Sequence, residues 1–241
     1  MRTTARNFLL LSLFGLLCIE CLPDEPKSPD AAALDAGVRK FMDSRRGTWR
    51  DLNIPEADGQ ALYDIVVQRG YKNALEIGTS TGYSGLWIAW ALSKTGGKLI
   101  TIEMEKDRHE QAKANFRDAG LARFVDARVG NAHDLVPALP GPFDFVFCDA
   151  DKEWYANYLK EVLPKMTIGG CFAAHNVSDF SGSGGRGGRG GFRRGFGLGP
   201  SGDFLEFARS LPNLDTKVLS IPGSGGLSVS YKKQPTAGAA P

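Results

Sequence analysis

The chain has 241 residues, of which 42% are hydrophobic, and its formal net charge is +2 at pH 7. This length and composition are compatible with one domain that buries one sizeable core. So small a net charge excludes a general polyanion-binding surface, although four arginines crowd into one Gly-rich stretch: Arg186, Arg189, Arg193 and Arg194.

Residues 1–22 are predicted to form a signal-like leader, because Arg2 and Arg6 precede an apolar run at Phe8–Ile19. That run is too short to span a bilayer easily, which favours a cleaved leader or a shallow anchor. The sequence therefore predicts an exported or membrane-tethered protein, with a cytoplasmic enzyme as the alternative. Residues 23–30 are Pro- and charge-rich and are predicted to be a linker before a domain at 31–233, and residues 234–241 a disordered tail.

The predicted domain begins with two helices, Ala31–Met42 and Asn53–Gly70. Short apolar strands then alternate with helical stretches, which predicts a doubly wound, mostly parallel α/β sheet. Two final strands separated by a Gly-rich turn predict a closing antiparallel hairpin. The helical stretches after the first strand, Asn73–Ile77, are Tyr83–Ser93, Lys106–Ala119, Ala132–Leu139 and Lys152–Met166, and the hairpin strands are Asp215–Ile221 and Gly226–Tyr231.

The sequence LEIGTSTGYS at Leu75–Ser84 is typical of a nucleotide-type cofactor pocket. A buried strand runs into a turn containing Gly78 and Gly82, and a helix follows, so that backbone N–H groups face one ligand. The next strand ends at Glu103, whose carboxylate can accept hydrogen bonds from both hydroxyls of a ribose. Taken alone, this pattern also fits an ordinary strand-to-helix turn.

Four ordered segments resemble the cation-dependent O-methyltransferases that use S-adenosylmethionine, the family of catechol and caffeoyl-CoA O-methyltransferases and their bacterial relatives. The resemblance spans about 49–233 and implies a Rossmann-like methyltransferase sheet. It also implies methyl transfer to a hydroxyl of a small, aromatic, catechol-like acceptor. The segments are DLNIPEADGQ (Asp51–Gln60), LEIGTSTGYS, TIEMEKD (Thr101–Asp107) and DADK (Asp149–Lys152).

The resemblance also implies the cofactor contacts. Asn53 and Ile54 correspond to residues over the methionine end, Ser80 and Ser84 to contacts with its carboxylate or amino group, and Asn131 and Ala132 to contacts with the adenine. Glu76 supports the amino group or, alternatively, is a strand-end carboxylate that receives backbone N–H bonds. The complete predicted cofactor set is Asn53, Ile54, Glu76, Gly78, Ser80, Gly82, Tyr83, Ser84, Glu103, Met104, Asn131, Ala132 and Asp149.

For catalysis, the resemblance assigns Asp149 as a metal ligand and Lys152 as the base, whereas without it Lys152 would be a surface lysine. The family's remaining ligands are an Asp-Asn pair, and this chain has His175 and Asn176. Mg²⁺ prefers oxygen ligands, whereas imidazole favours Mn²⁺, Fe²⁺ or Zn²⁺. A changed metal preference, a weakened site and a metal-free enzyme with His175 as a base all remain open. We predict a retained but altered site formed by Asp149, His175 and Asn176.

The Gly/Arg-rich residues Ser181–Gly202 are predicted to be a flexible loop, with a substrate lid or RNA binding as alternatives. The resemblance implies a homodimer. An NAD-dependent reductase is disfavoured because the GxxxG spacing of Gly78 and Gly82 is not GxGxxG. A catalytically silent protein that binds RNA or an acidic partner through this loop is the alternative from another class.

Four further side chains are predicted to lie outside the site. His109 and His133 match no family ligand and are expected to face solvent. Cys148 and Cys171 fall within apolar strands and are expected to be small core residues.

Overall fold

The structure is a computed structural model, and it describes residues 29–49, 52–177 and 201–234. The predicted leader, the Gly/Arg-rich loop up to residue 200 and the tail from residue 235 lie outside these ranges. The helices are α1 (Pro29–Ser44), α2 (Glu56–Arg69), α3 (Tyr83–Thr95), α4 (Lys106–Asp118), α5 (Ala132–Ala138), α6 (Tyr155–Val162) and α7 (Ser201–Ser210). The strands are β1 (Asn73–Ile77), β2 (Lys98–Glu103), β3 (Val125–Val129), β4 (Phe143–Cys148), β5 (Met166–His175), β6 (Leu214–Leu219) and β7 (Leu227–Lys232).

The strands of the described residues form one sheet in the order β3-β2-β1-β4-β5-β7-β6. Strands β1 to β5 pair in parallel, and β7 pairs antiparallel with both β5 and β6. The predicted doubly wound sheet with a closing antiparallel hairpin is confirmed. The strand order reverses between β1 and β4, and in such sheets a cleft opens at this point beyond the carboxyl ends of the strands.

Strand β4 shows how the sheet separates two hydrophobic clusters. Phe145 and Phe147 belong to the cluster under α2 and α3, whereas Val146 and Cys148 belong to the cluster under α6 and α7. Successive side chains of a strand point to opposite faces, so an uninterrupted apolar strand must be covered on both sides. Cys148 and Cys171 are fully buried, as predicted.

Two parts of the chain differ in secondary structure from the sequence-based expectations. The predicted helix Lys152–Met166 is a 3₁₀ turn, then α6, then a second 3₁₀ turn at Leu163–Lys165, and Met166 already begins β5. Pro164 lies in that second turn, where its missing N–H group ends the helical hydrogen bonding. The sequence does not predict α7, which takes in the last two residues of the predicted loop.

The prediction for His109 is wrong, because its side chain is buried. His109, Ala112 and Phe116 recur on one face of α4, and this face packs toward the core. His133 is partly exposed, but its ring stacks on that of Trp154 with 3.6 Å between centroids.

The described ranges contain no helix that is long and apolar enough to cross a bilayer.

Candidate active site

A cavity of about 430 Å³ opens at the carboxyl ends of β1, β2 and β4, where the strand order reverses. Nine of the predicted cofactor residues line it, from five separate parts of the chain. They are Asn53, Gly78, Ser80, Ser84, Glu103, Met104, Asn131, Ala132 and Asp149.

Gly78 allows the turn after β1 to approach the backbone after β4 closely at the floor of this cavity. Its φ of +97° is unfavourable for residues with a side chain, and an added Cβ would lie 2.6 Å from the carbonyl oxygen of Asp149. Gly82 precedes the first residue of α3 with a φ of +93°. Both glycines are therefore required by the backbone, and they aim the N-terminus of α3 toward the cavity.

Glu103 lies at the end of β2, and its carboxylate is held by two backbone groups. Oε2 accepts a hydrogen bond from the N–H of Ser80 at 2.6 Å, and Oε1 accepts one from the N–H of Glu105 at 2.9 Å. Each carboxylate oxygen has two acceptor lone pairs. The side chain is thus fixed in position and can still accept hydrogen bonds from a ligand in the cavity.

Four predicted cofactor residues do not line the cavity: Ile54, Glu76, Gly82 and Tyr83. Ile54 and Tyr83 are buried, and the Tyr83 ring lies 4.7 Å from that of Trp49 between centroids. Ile54 and Tyr83 instead line a second cavity of about 450 Å³ together with Trp49.

Glu76 is completely buried one layer below the cavity. Its Oε1 accepts a hydrogen bond from the Ser84 hydroxyl at 2.6 Å, and its Oε2 accepts one from the Thr101 hydroxyl at 2.5 Å. Burial raises the pKa of this carboxyl group to about 7, although the two hydroxyl groups oppose the rise. Glu76 therefore receives side-chain hydroxyls, and not the backbone N–H groups of the alternative sequence-based interpretation.

Asp151 joins the adenine end of the predicted site to α6. Its Oδ2 lies 3.0 Å from Nε2 of His133, and its Oδ1 accepts a hydrogen bond from the Tyr158 hydroxyl at 2.8 Å. All three residues line the cavity, and none belongs to the predicted site. The sequence contains one signal for the Asp151–Tyr158 contact. The two residues are seven positions apart, which is about two helical turns and places them on the same side. Asn131 caps α5, because its amide oxygen accepts the N–H of His133 at 3.0 Å.

The predicted catalytic pair is in contact. Lys152 Nζ donates a hydrogen bond to Asp149 Oδ1 at 2.7 Å and another to the hydroxyl of Tyr155. That hydroxyl in turn donates to the carbonyl oxygen of His175 at 3.2 Å. Lys152 is largely enclosed, with 15% of its side chain exposed, so it is not an ordinary surface lysine.

His175 lies between two carboxylates. Its Nδ1 is 3.0 Å from Asp149 Oδ2, and its Nε2 is 3.0 Å from Asp58 Oδ2. Burial alone lowers the pKa of the imidazole, but the hydrogen bonds and charges of Asp149 and Asp58 outweigh this and raise it to about 9. His175 is therefore an imidazolium at neutral pH and is not available there as a base.

The two carboxyl groups respond in the opposite direction. Burial is the largest single influence and raises the pKa of each, but the hydrogen bond and charge of His175 together with their other partners outweigh it, so the pKa of Asp58 and that of Asp149 lie below their ordinary values. Lys152 adds to the effect at Asp149, and Ser224 and the Gly225 N–H add to it at Asp58. Sequence reasoning missed Asp58 as a site residue, because it comes 117 residues before His175.

These residues do not fit the predicted divalent cation. A metal-bound imidazole offers a lone pair of one ring nitrogen to the ion, but both ring nitrogens of His175 are hydrogen-bonded to carboxylates. Asn176 follows at a φ of +54° and is exposed. Within residues 29–49, 52–177 and 201–234, no group of three or more His, Cys, Asp or Glu side chains is arranged to hold a metal ion.

Known proteins resemble this chain in sequence and in fold. A catechol O-methyltransferase of Niastella koreensis is 43% identical over 110 residues, which cover 44% of this chain and 49% of that protein. A caffeoyl-CoA O-methyltransferase of Eucalyptus globulus is 33% identical over 134 residues and is matched over 54% of each chain. The chain thus spans about half the length of the curated relatives it matches.

The O-methyltransferase TomG of Streptomyces achromogenes, solved in complex with S-adenosylmethionine, has a TM-score of 0.65 and 27% identity to this chain. The similarity covers 82% of this chain and 90% of TomG. A family model described as O-methyltransferase matches residues 27–183, well over half of the sequence. The chain belongs to this O-methyltransferase family.

Proposed function

We propose that this protein transfers a methyl group from S-adenosylmethionine to a hydroxyl of a small aromatic acceptor. The observation that carries the proposal is that the Gly78 turn, the fixed Glu103 carboxylate and Asp149 line one cavity, and that Lys152 contacts Asp149. The relatives named for catechol and caffeoyl-CoA support an aromatic hydroxyl as the acceptor, and the TomG complex supports S-adenosylmethionine as the cofactor.

In the proposed complex, Glu103 accepts hydrogen bonds from the two ribose hydroxyls, and Asn131 and Ala132 lie at the adenine. The methionine end lies toward Gly78, Ser80 and the N-terminus of α3, whose partial positive charge favours the cofactor carboxylate. The sulfonium methyl is then directed toward Asp149. The fixed backbone positions supply the alignment that a direct displacement requires.

The acceptor oxygen attacks the methyl carbon, the bond from sulfur to this carbon breaks, and S-adenosylhomocysteine leaves. The proton of the acceptor hydroxyl passes to the lone pair of Lys152 Nζ, which acts in its amine form as the base. Asp149 and Tyr155 hold Nζ in place through the hydrogen bonds described above. No step of this mechanism uses a divalent cation, because His175 does not offer a ligand.

The test is methyl transfer to a panel of vicinal dihydroxy-aromatic compounds, with the methylated product identified by mass spectrometry. We expect turnover by the wild-type chain and a fall of about 10²–10⁴-fold in Lys152→Ala, the usual contribution of a positioned base. Cofactor affinity, measured separately by calorimetry, should change little. Lys98→Ala is the matched control, because Lys98 is exposed at the start of β2, away from the cavity.

Two results would contradict the proposal. A wild-type chain that binds no S-adenosylmethionine would remove the assigned cofactor. A Lys152→Ala variant that retains full turnover would show that Lys152 is not the base.

A further inference from the structure

We infer that His175, held between Asp58 and Asp149, takes the place of the divalent cation in this chain, so that the site neither binds nor requires one. The Asp58–His175–Asp149 bridge joins α2, the end of β4 and the end of β5. The binding part of this inference stands on its own, whereas the catalytic part rests on the proposed function.

The first support is that both ring nitrogens of His175 already contact carboxylates. Each lies 3.0 Å from a carboxylate oxygen, which is hydrogen-bond distance. Whichever group carries each shared proton, neither nitrogen has a lone pair directed at an ion. Only 4% of His175 is exposed, so the ring cannot present a nitrogen to solvent without breaking one of the two contacts.

The second support is the lack of space beside Nε2. Asp58 Oδ2 also accepts the N–H of Gly225 at 2.8 Å, and a Cβ added at Gly225 would lie 2.7 Å from Nε2. The backbone of Gly225 therefore closes this side of the ring. Mg²⁺ demands octahedral coordination and usually keeps several of its waters, and this enclosed side has no room for such a shell.

The third support is that both oxygens of the Asp149 carboxylate already have partners. Oδ1 accepts a hydrogen bond from Lys152 Nζ at 2.7 Å, and Oδ2 lies 3.0 Å from Nδ1 of His175. The Asp149 side chain is only 13% exposed. A divalent ion at Asp149 would therefore lie beside two nitrogen groups that already hold this carboxylate.

The bridge also fixes the position of the Asp149 carboxylate, as a bound cation would. It orients the Asp149 carboxylate through Oδ2 and leaves Oδ1 to Lys152. His175 is thus a positioning residue for the Asp149–Lys152 pair.

The experiment measures Mn²⁺ binding by electron paramagnetic resonance, without any methyl acceptor, in the wild-type chain, His175→Asp and His175→Asn. We expect no stoichiometric Mn²⁺ binding by the wild-type chain. His175→Asp should bind one Mn²⁺ per chain, with an affinity at least roughly tenfold above any residual affinity of the wild-type chain. The reason is that the substitution adds a third carboxylate at the place of the imidazole. His175→Asn is the matched control and should gain less than His175→Asp, since it removes the ring without adding a charge.

Either of two outcomes overturns the inference. One is a Mn²⁺ ion bound by the wild-type chain and lost in Asp149→Asn. The other is a folded His175→Asp variant that gains no Mn²⁺ binding, because the imidazole would then not occupy the place of a cation.

A second measurement needs no variant. In ¹⁵N-labelled wild-type protein, the ring N–H signals of His175 should remain unbroadened when Mn²⁺ is added, whereas selective broadening would contradict the inference. Turnover should also be unchanged, within about twofold, in EDTA and with added Mg²⁺ or Mn²⁺. If turnover is absent under every condition, the proposed function fails, and the Mn²⁺ binding and resonance data still decide the role of His175.

Discussion

Buried carboxyl groups in this protein behave differently according to their partners. Asp58 and Asp149 face the cationic His175, and the pKa of each is lowered. Glu76 accepts hydrogen bonds from two hydroxyl groups of the described residues, and burial raises its pKa to about 7. Partner charge, more than burial alone, therefore decides whether a carboxyl group inside this domain is ionised at neutral pH.

Glu76 gives a stability prediction with a definite sign. The unfolded chain releases the proton near the ordinary pKa of 4.5 and the folded chain near 7, so the folded state binds more protons between these values. The contribution of Glu76 to the free energy of unfolding must then fall as pH rises through this window. Relative to the wild-type chain, Glu76→Gln should become more stable by roughly 3 kcal/mol from pH 4.5 to above 7 and show no further relative change.

Urea unfolding at a series of pH values measures this difference. Glu105→Gln is the control, because Glu105 is exposed two residues beyond Glu103 and should leave the pH dependence unchanged. A stability difference between Glu76→Gln and the wild-type chain that does not vary with pH would show that Glu76 titrates normally in the folded protein.

At the scale of elements, the contact between the β1–α3 turn and the end of β4 builds the floor of the cavity. The sequence predicts this turn and its two glycines, because a strand, a Gly-containing turn and a helix follow one another in a local pattern. It does not predict α7, whose first residues adjoin a Gly-rich tract. It also does not predict the Asp58–His175 contact, since no local pattern links a first-turn residue of α2 with the end of β5.

Gly78→Ala should destabilise the domain by roughly 2–5 kcal/mol. A side chain at this φ is strained, and the added Cβ would overlap the backbone of Asp149. Gly96→Ala separates the two effects, because Gly96 also has a positive φ but an added Cβ there meets nothing within 4 Å. It should cost only about 1–2 kcal/mol. Denaturant unfolding followed by Trp fluorescence measures the stability of both variants. Equal losses of stability would disprove the close contact between Gly78 and the backbone of Asp149.

At the scale of the whole molecule, the cavity is built by the ends of β1, β2 and β4 and by the loop that carries Asn53. The Thr81 hydroxyl donates a hydrogen bond to the side-chain oxygen of Asn53 at 3.1 Å, which ties this loop to the β1–α3 turn. A ligand bound there contacts segments from distant parts of the chain. It should therefore stabilise the domain as a unit.

S-Adenosylmethionine at 100 times its Kd should add about 2.7 kcal/mol to the free energy of unfolding. For a domain of this size we expect a rise in Tm of roughly 5–11 °C. Glu103→Gln should lose more than half of this rise, because hydrogen bonds from the ribose to a charged acceptor are weakened. Each variant is compared with its own Tm without cofactor, and Glu105→Gln should keep the full rise. An equal rise in Glu103→Gln would exclude Glu103 as the ribose acceptor.

Much of the whole molecule follows from the sequence, because alternating apolar strands and helices determine a doubly wound sheet and its ligand edge. The part that does not follow is the chemistry of His175. A histidine in place of an aspartate is compatible with a changed ligand, a base or a buried cation. Only the three-dimensional position of Asp58 distinguishes these possibilities.

The bridge between Asp58 and His175 also constrains how this protein can diverge. Loss of Asp58 leaves His175 with one carboxylate partner, and replacement of His175 by a carboxylate gathers three acidic groups that a bound cation would neutralise. Removing one partner of a buried ion pair costs about 3–5 kcal/mol, a large part of the stability of a typical domain. The two positions are therefore expected to be inherited together, and a lineage that changes one of them must change the other or adopt a metal.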